Sequence, residues 1–151
     1  MAHDTAQSYL RTRVMSASPE ELRLMLLDGA IRFATQAREG LAAKDYEKSY
    51  EGITQARAIC AELATAVDRN ADPELCDRTT GVFLFLFQEL TEASLNKEPA
   101  RVGRVIELLE YERETWALAM EQIRSDRQKA SSAAPAAVEA GQADGSLSVR
   151  A

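Results

Sequence analysis

The sequence predicts an all-α protein. It reads as an antiparallel four-helix bundle over residues 18–127, a short N-terminal arm over 1–17 and a disordered Ala/Ser/Gly-rich tail over 128–151. Three observations carry this. Helix-start signals stand before residues 19, 46 and 73. Apolar residues follow each of them at spacings of three and four, the period of one helix face. The breaks between them are short, and short connections make helices antiparallel neighbours.

The first helix begins at Ser18-Pro19-Glu20-Glu21. A serine hydroxyl can accept a hydrogen bond from an orphan first-turn N–H, proline loses nothing at the first helical position, and Glu21 stands where a capping box wants its carboxylate. The stripe Leu22, Leu26, Gly29, Phe33, Ala37 and Leu41 follows, widened sideways by Leu24, Leu27 and Ile31. After a break at Ala43-Lys44-Asp45, with Asp45 as cap, the second helix spans Tyr46 to Val67. Its stripe is Tyr46, Tyr50, Ile53, Ala56, Cys60, Leu63 and Val67, weakened slightly by Gly52.

Asp72-Pro73-Glu74 repeats the cap logic for a third helix ending near Asn96. Its run Val82-Phe83-Leu84-Phe85-Leu86-Phe87 could stand alone as a buried strand. It continues without a turn signal, however, and Leu75, Thr79, Val82, Leu86, Leu90 and Ala93 keep helical period. After Lys97-Glu98-Pro99 the fourth helix carries Val102, Val105, Ile106, Leu109, Trp116, Met120 and Ile123 and ends near Arg127. Beyond it, Ala, Ser, Gly and Gln offer too little apolar surface to offset ordering. Ahead of the first helix, Tyr9, Leu10, Val14 and Met15 lie on an arm expected to have no secondary structure of its own.

Composition excludes several classes. The chain has 151 residues and a formal charge of -6, unsuited to nucleic acid, whose phosphates require clustered Lys and Arg. The same charge opposes an anionic lipid surface. No apolar run is long enough to insert in a membrane, and the N-terminus lacks the pattern of a secretory signal, so the cytoplasm is expected. Cys60 and Cys76 read as thiols acting as small hydrophobes. The single histidine, His3, removes Glu-x-x-His metal pairs and Ser-His-Asp or Cys-His catalysis. No metal site, cofactor or catalytic residue is expected. One acidic pattern, Glu89-x-x-Glu92 with Glu107-x-x-Glu110, suggests an alternative, an all-α Mg²⁺-dependent nucleotide pyrophosphatase.

Phe83, Phe85 and Phe87 point to a partner instead. Residues at i, i+2 and i+4 of a helix span more than half its circumference, so the bundle core cannot cover all three. The rest needs the arm, a second copy in a weak homodimer, or a client protein.

The run Val14-Met15-Ser16-Ala17-Ser18-Pro19-Glu20-Glu21-Leu22, then Leu24-Met25-Leu26-Leu27-Asp28-Gly29-Ala30-Ile31-Arg32-Phe33, resembles the flagellin-specific export chaperone family (FliS). The resemblance begins at Tyr9, resumes at Ile53, Ala56, Ile59, Glu62 and Leu63 and returns at Arg113-Glu114-Thr115-Trp116. Departures are Leu27 for a usual Tyr, Gln55-Ala56-Arg57 for Lys-Ala-Gln, Val82-Phe83-Leu84-Phe85 for a Leu-Tyr-Asp-Tyr-like segment and Ser94 for a frequent Asn. The resemblance implies a chaperone that catalyses nothing. It would bind the C-terminal region of flagellin, prevent premature polymerisation and deliver the subunit to the flagellar type III export gate. A helical adaptor for another client is the nearer alternative. The expected client-binding residues are Tyr9, Leu10 and Met15 on the arm, Leu24, Leu27 and Ile31 on the first helix, and Ile59 and Leu63 on the second. Val82, Phe83, Phe85 and Phe87 on the third complete the set. The arm is further expected to plug the apolar groove until the client arrives.

Overall fold

The computed structural model describes residues 2–66 and 68–150, and the side-chain surroundings of residues 5–66 and 68–133. Among the described residues there are five helices and no strand: α1 (Ala2–Ser16), α2 (Pro19–Ala42), α3 (Tyr46–Thr65), α4 (Pro73–Asn96) and α5 (Pro99–Arg150). The chain divides into two units, Met1–Glu114 and Thr115–Ala151.

All three expected caps form. The Ser18 hydroxyl accepts from the Glu21 N–H at 3.1 Å, Asp45 from Lys48 N–H at 3.2 Å and Asp72 from Leu75 N–H at 3.1 Å. Each satisfies one of the four N–H groups that a helix start leaves unpaired. The α4 end turns through Lys97 in the left-handed conformation at φ 56°, and its N–H donates back to the Ala93 carbonyl.

In the first unit the core is built from Leu27 of α2, Ile53 and Leu63 of α3, Phe83, Leu86 and Leu90 of α4, and Val102 and Leu109 of α5, all buried. Successive contacts between α2 and α3 run in opposite directions. A Cβ on Gly40 would lie 2.6 Å from Ser49 N, one on Gly52 would lie 2.6 Å from Phe33 O, and one on Gly29 would lie 3.3 Å from Ile59 Cδ1. The α3–α4 contacts also reverse. The Thr80 hydroxyl donates to the Ala64 carbonyl at 2.8 Å, Arg57 lies over the Phe87 ring, and Lys97 lies over Tyr46. Arg101 of α5 reaches Glu89 of α4 at 3.6 Å and Glu98 at 2.6 Å. In the second unit, α5 carries local pairs such as Arg124–Glu121 at 2.8 Å, with Leu118 exposed.

Four expectations change. The arm is helical as α1, although no cap residue announces it; its Ala, Gln, Leu, Arg and Met content favours helix. The backbone of α5 continues as helix to Arg150, where a disordered tail is expected. A helix already nucleated extends at little cost, and alanine is its best former. The inward face of α2 is also rotated from the expected stripe: Leu27, Ala30, Ala34, Ala37 and Leu41 are buried, while Leu22 is exposed and Leu26 and Phe33 are half-buried. A close approach to α3 selects small side chains over large ones. Finally, Tyr46, Tyr50 and Leu75, expected in core stripes, are exposed; Val67 lies outside the described residues.

Candidate client-binding surface

The phenylalanine run shows how the chain presents apolar surface. Positions 83 and 85 are separated by about 200° around a helix. Phe83 is 0% exposed and Phe85 50% exposed, so one ring serves the core and the other the outside. Phe87 returns to the side of Phe83 and is half-buried beneath Arg57, whose guanidinium carbon stands 4.8 Å from the ring centroid.

The remaining candidates fall on several faces. Leu24 and Ile31 are half-buried on α2, one turn either side of Asp28, whose carboxylate accepts from the Arg113 guanidinium of α5. Ile59 is half-buried on α3 and packs at Gly29, on the other side of α2. Val82 is half-buried on α4. Leu27, Leu63 and Phe83 are sealed in the core and present no surface. Their expected role as contact residues therefore reduces to supporting the helices that carry the exposed ones.

Tyr9, Leu10 and Met15 are all exposed on α1, Met15 at 82%. An arm filling an apolar groove would bury them, and every residue from 5 to 16 is exposed. The expected plug is therefore not formed.

The shifted groups are set by burial and ion pairing. Asp28 holds the Arg113 guanidinium above its ordinary pKa through a hydrogen bond and its charge. Burial lowers Arg23, which lies over the Phe83 ring at 5.6 Å, and Glu112 partly offsets that. Burial pushes the Cys60 thiol up to about 12; Cys76 is buried as well, and no disulfide joins them. The acidic pattern does not converge. Glu89 is engaged by Arg101, Glu92 accepts from Asn96 at 3.3 Å, and Glu107 and Glu110 are exposed. Among the described residues no three His, Cys, Asp or Glu side chains gather where a metal ion could be held. A shallow, open depression is lined by Arg32, Thr35, Gln36, Glu39 and Lys48, with Lys48 and Glu39 paired at 3.2 Å. No described helix is long and apolar enough to cross a membrane.

Sequence reasoning missed the Asp28–Arg113 pair, although both residues lie in the two motifs it singled out. It also missed the exposed Leu84 and the Arg57–Phe87 contact, which joins two helices and leaves no local signal in the sequence.

Among the described residues the chain is helical, packs a core of buried aliphatic side chains and Phe83, and leaves Tyr9, Leu10, Met15, Leu84 and Phe85 outside, the form of a protein-binding module. The family described as Flagellar protein FliS matches residues 1–123, and the chain belongs to that family. Among its relatives, the flagellar secretion chaperone FliS of Bacillus subtilis is 27% identical over 80% of this chain and 89% of its own length. The flagellar secretion chaperone FliS of Campylobacter jejuni is 26% identical over 72% and 85%. That of Salmonella typhimurium is 29% identical over 74% and 83%.

Proposed function

We propose that the protein is a cytoplasmic export chaperone. It binds the C-terminal region of flagellin, prevents its premature polymerisation and hands it to the flagellar type III export gate without catalysing a reaction. The observation that carries this reading is the family match over residues 1–123, falling on a chain with large apolar side chains on its outer helix faces. α2, α3, α4 and the first part of α5 act as an up-down-up-down antiparallel bundle. The reversed contacts of α2 with α3 and of α3 with α4 support that arrangement, as does the placement of Asp28 opposite Arg113 and of Gly103 beside Arg38. Residues 1–17 are an arm and 128–151 an appendage; residues 18–127 carry the client.

The physics is helix-in-groove recognition with coupled folding. A segment that is disordered alone gains helix on an apolar surface and loses conformational entropy, so the contact must be broad. In the test, the full chain is titrated with a flagellin C-terminal peptide. Helical circular-dichroism signal should rise beyond the sum of the parts and saturate near equal amounts. No binding at micromolar concentration overturns the reading; binding to a different secreted protein instead transfers it to an adaptor.

A further inference from the structure

Two cations on the α3–α4 seam each lie over an aromatic ring and have no carboxylate partner among the described residues. The Arg57 guanidinium lies 4.8 Å from the Phe87 centroid, and the Lys97 ammonium 4.7 Å from that of Tyr46. Both pairs cross the seam, one member on each side. Two other cations close by are paired, Arg69 with Asp77 at 3.5 Å and Arg101 with Glu89 and Glu98. Arg57 stands apart further. It is half-buried, and its Nε is shielded from solvent without a hydrogen-bond acceptor. In a chain of net charge -6 acids are plentiful, yet no described carboxylate pairs with it.

We infer that this seam docks an amphipathic helix of the secreted client through carboxylates that pair with Arg57 and Lys97. The inference deepens the proposed chaperone function and rests on it. A stacked guanidinium uses its flat face on the ring and keeps its edge N–H groups for a carboxylate, which it can grip with two parallel bonds. Because Arg57 has already lost part of its hydration, a carboxylate displaces less water there than at an open surface, and the pair forms in a lower effective dielectric. Tyr46 and Arg57 are eleven residues apart on α3, three helical turns or about 16 Å. The client helix should therefore carry acids about three turns apart. Apolar side chains between them would meet exposed Tyr50, and others just beyond would meet exposed Leu84.

The experiment uses the full chain and a flagellin C-terminal peptide, beside the same peptide with every Asp and Glu changed to its amide. Arg57→Met keeps an apolar cover on Phe87 and removes the charge; Arg57→Lys restores it. At low salt Arg57→Met should weaken binding of the acidic peptide about tenfold, the scale of a charge-assisted contact. Lys97→Gln should weaken it about threefold, as fits an exposed pair. Arg57→Lys should recover most of the loss. Neither loss should appear with the amidated peptide, and raising salt from about 0.05 M to about 0.5 M should shrink both. Melting temperatures of the variants, measured alongside, separate a folding defect from a docking defect. Wild-type binding that Arg57→Met leaves unchanged overturns the inference and leaves the chaperone reading standing. Failure of the wild-type protein to bind the peptide at all overturns both.

Discussion

The two seams that share α3 are built by opposite means. On the α2 side the helices meet backbone to backbone. Ala30, Ala34, Ala37, Gly40 and Gly52 are buried, and Gly52 faces the Phe33 carbonyl and the Ala37 backbone with no room for a methyl group. On the α4 side the helices meet through large or polar side chains: Phe83 within, Phe87 under Arg57, Tyr46 under Lys97, and Thr80 bonded to the Ala64 carbonyl. A seam made by removing side chains is specific but leaves nothing over for a partner. A seam made by side chains leaves rings and cations at its rim. The first seam thus defines the fold, and the second is the one proposed above to meet the client.

The largest expected effect separates two phenylalanines two residues apart. Phe83→Ala should lower unfolding free energy by about 3–5 kcal/mol, the cost of emptying a sealed aromatic site. Phe85→Ala should leave stability within about 0.5 kcal/mol, because half of its surface is already in water. Urea denaturation of both variants checks this, and equal losses would erase the distinction between the inner and outer faces of α4.

Next comes the backbone seam. Gly52→Ala puts a Cβ 2.6 Å from Phe33 O and 2.8 Å from Ala37 N. Neither atom can move without parting the helices, so a loss of about 3 kcal/mol is expected. A neutral result by the same denaturation assay would show that α2 and α3 do not approach so closely.

The Cys60 thiol probes the same helix by pH. Its pKa is raised by burial to about 12 in the folded chain, against 9.0 for an ordinary thiol. Below pH 9 both states hold the proton and the thiol adds no pH dependence. Above it the unfolded chain releases a proton that the folded chain keeps, so stability falls as pH rises toward 12. At pH 10 the loss should be about 1.4 kcal/mol relative to Cys60→Ala, read as the difference between the two stability–pH curves. Parallel curves would mean that the thiol is open to solvent.

The smallest effect has the opposite sign. A Cβ on Gly81 of α4 meets nothing within 4 Å. Gly81→Ala should therefore stabilise the protein by about 0.5–1 kcal/mol, by lowering the entropy of the unfolded chain and raising helix propensity. Set beside Gly52→Ala, it tests whether glycine is required on the α2 side of α3 and merely tolerated on α4. A destabilising result would point to a contact on the outer face of α4.

Much of the helical frame was legible from local chemistry. Ser18, Asp45 and Asp72 cap helices as their side chains suggest, and the breaks between α2, α3, α4 and α5 fall at the expected turns. Ile53, Ala56, Cys60 and Leu63 of α3, with Val102, Val105, Ile106 and Leu109 of α5, are buried as their period implies. The candidate surface was less legible. Exposure of Phe85 follows from helix geometry, but burial of Leu27 and Leu63 depends on neighbours far along the chain. α1 carries no cap to announce it, and the helical continuation of α5 follows from propagation rather than a start signal.

By itself the sequence determined where α2, α3 and α4 start, and it determined the family, because caps and motifs act through residues a few positions apart. Only the tertiary structure decided which face of α2 turns inward, that Asp28 meets Arg113, and that Arg57 and Lys97 come to stand over rings of a neighbouring helix. Those outcomes depend on how closely two helices approach. That distance is set where both surfaces meet, and on the α2 side of α3 the small residues Ala37, Gly40 and Gly52 allow it.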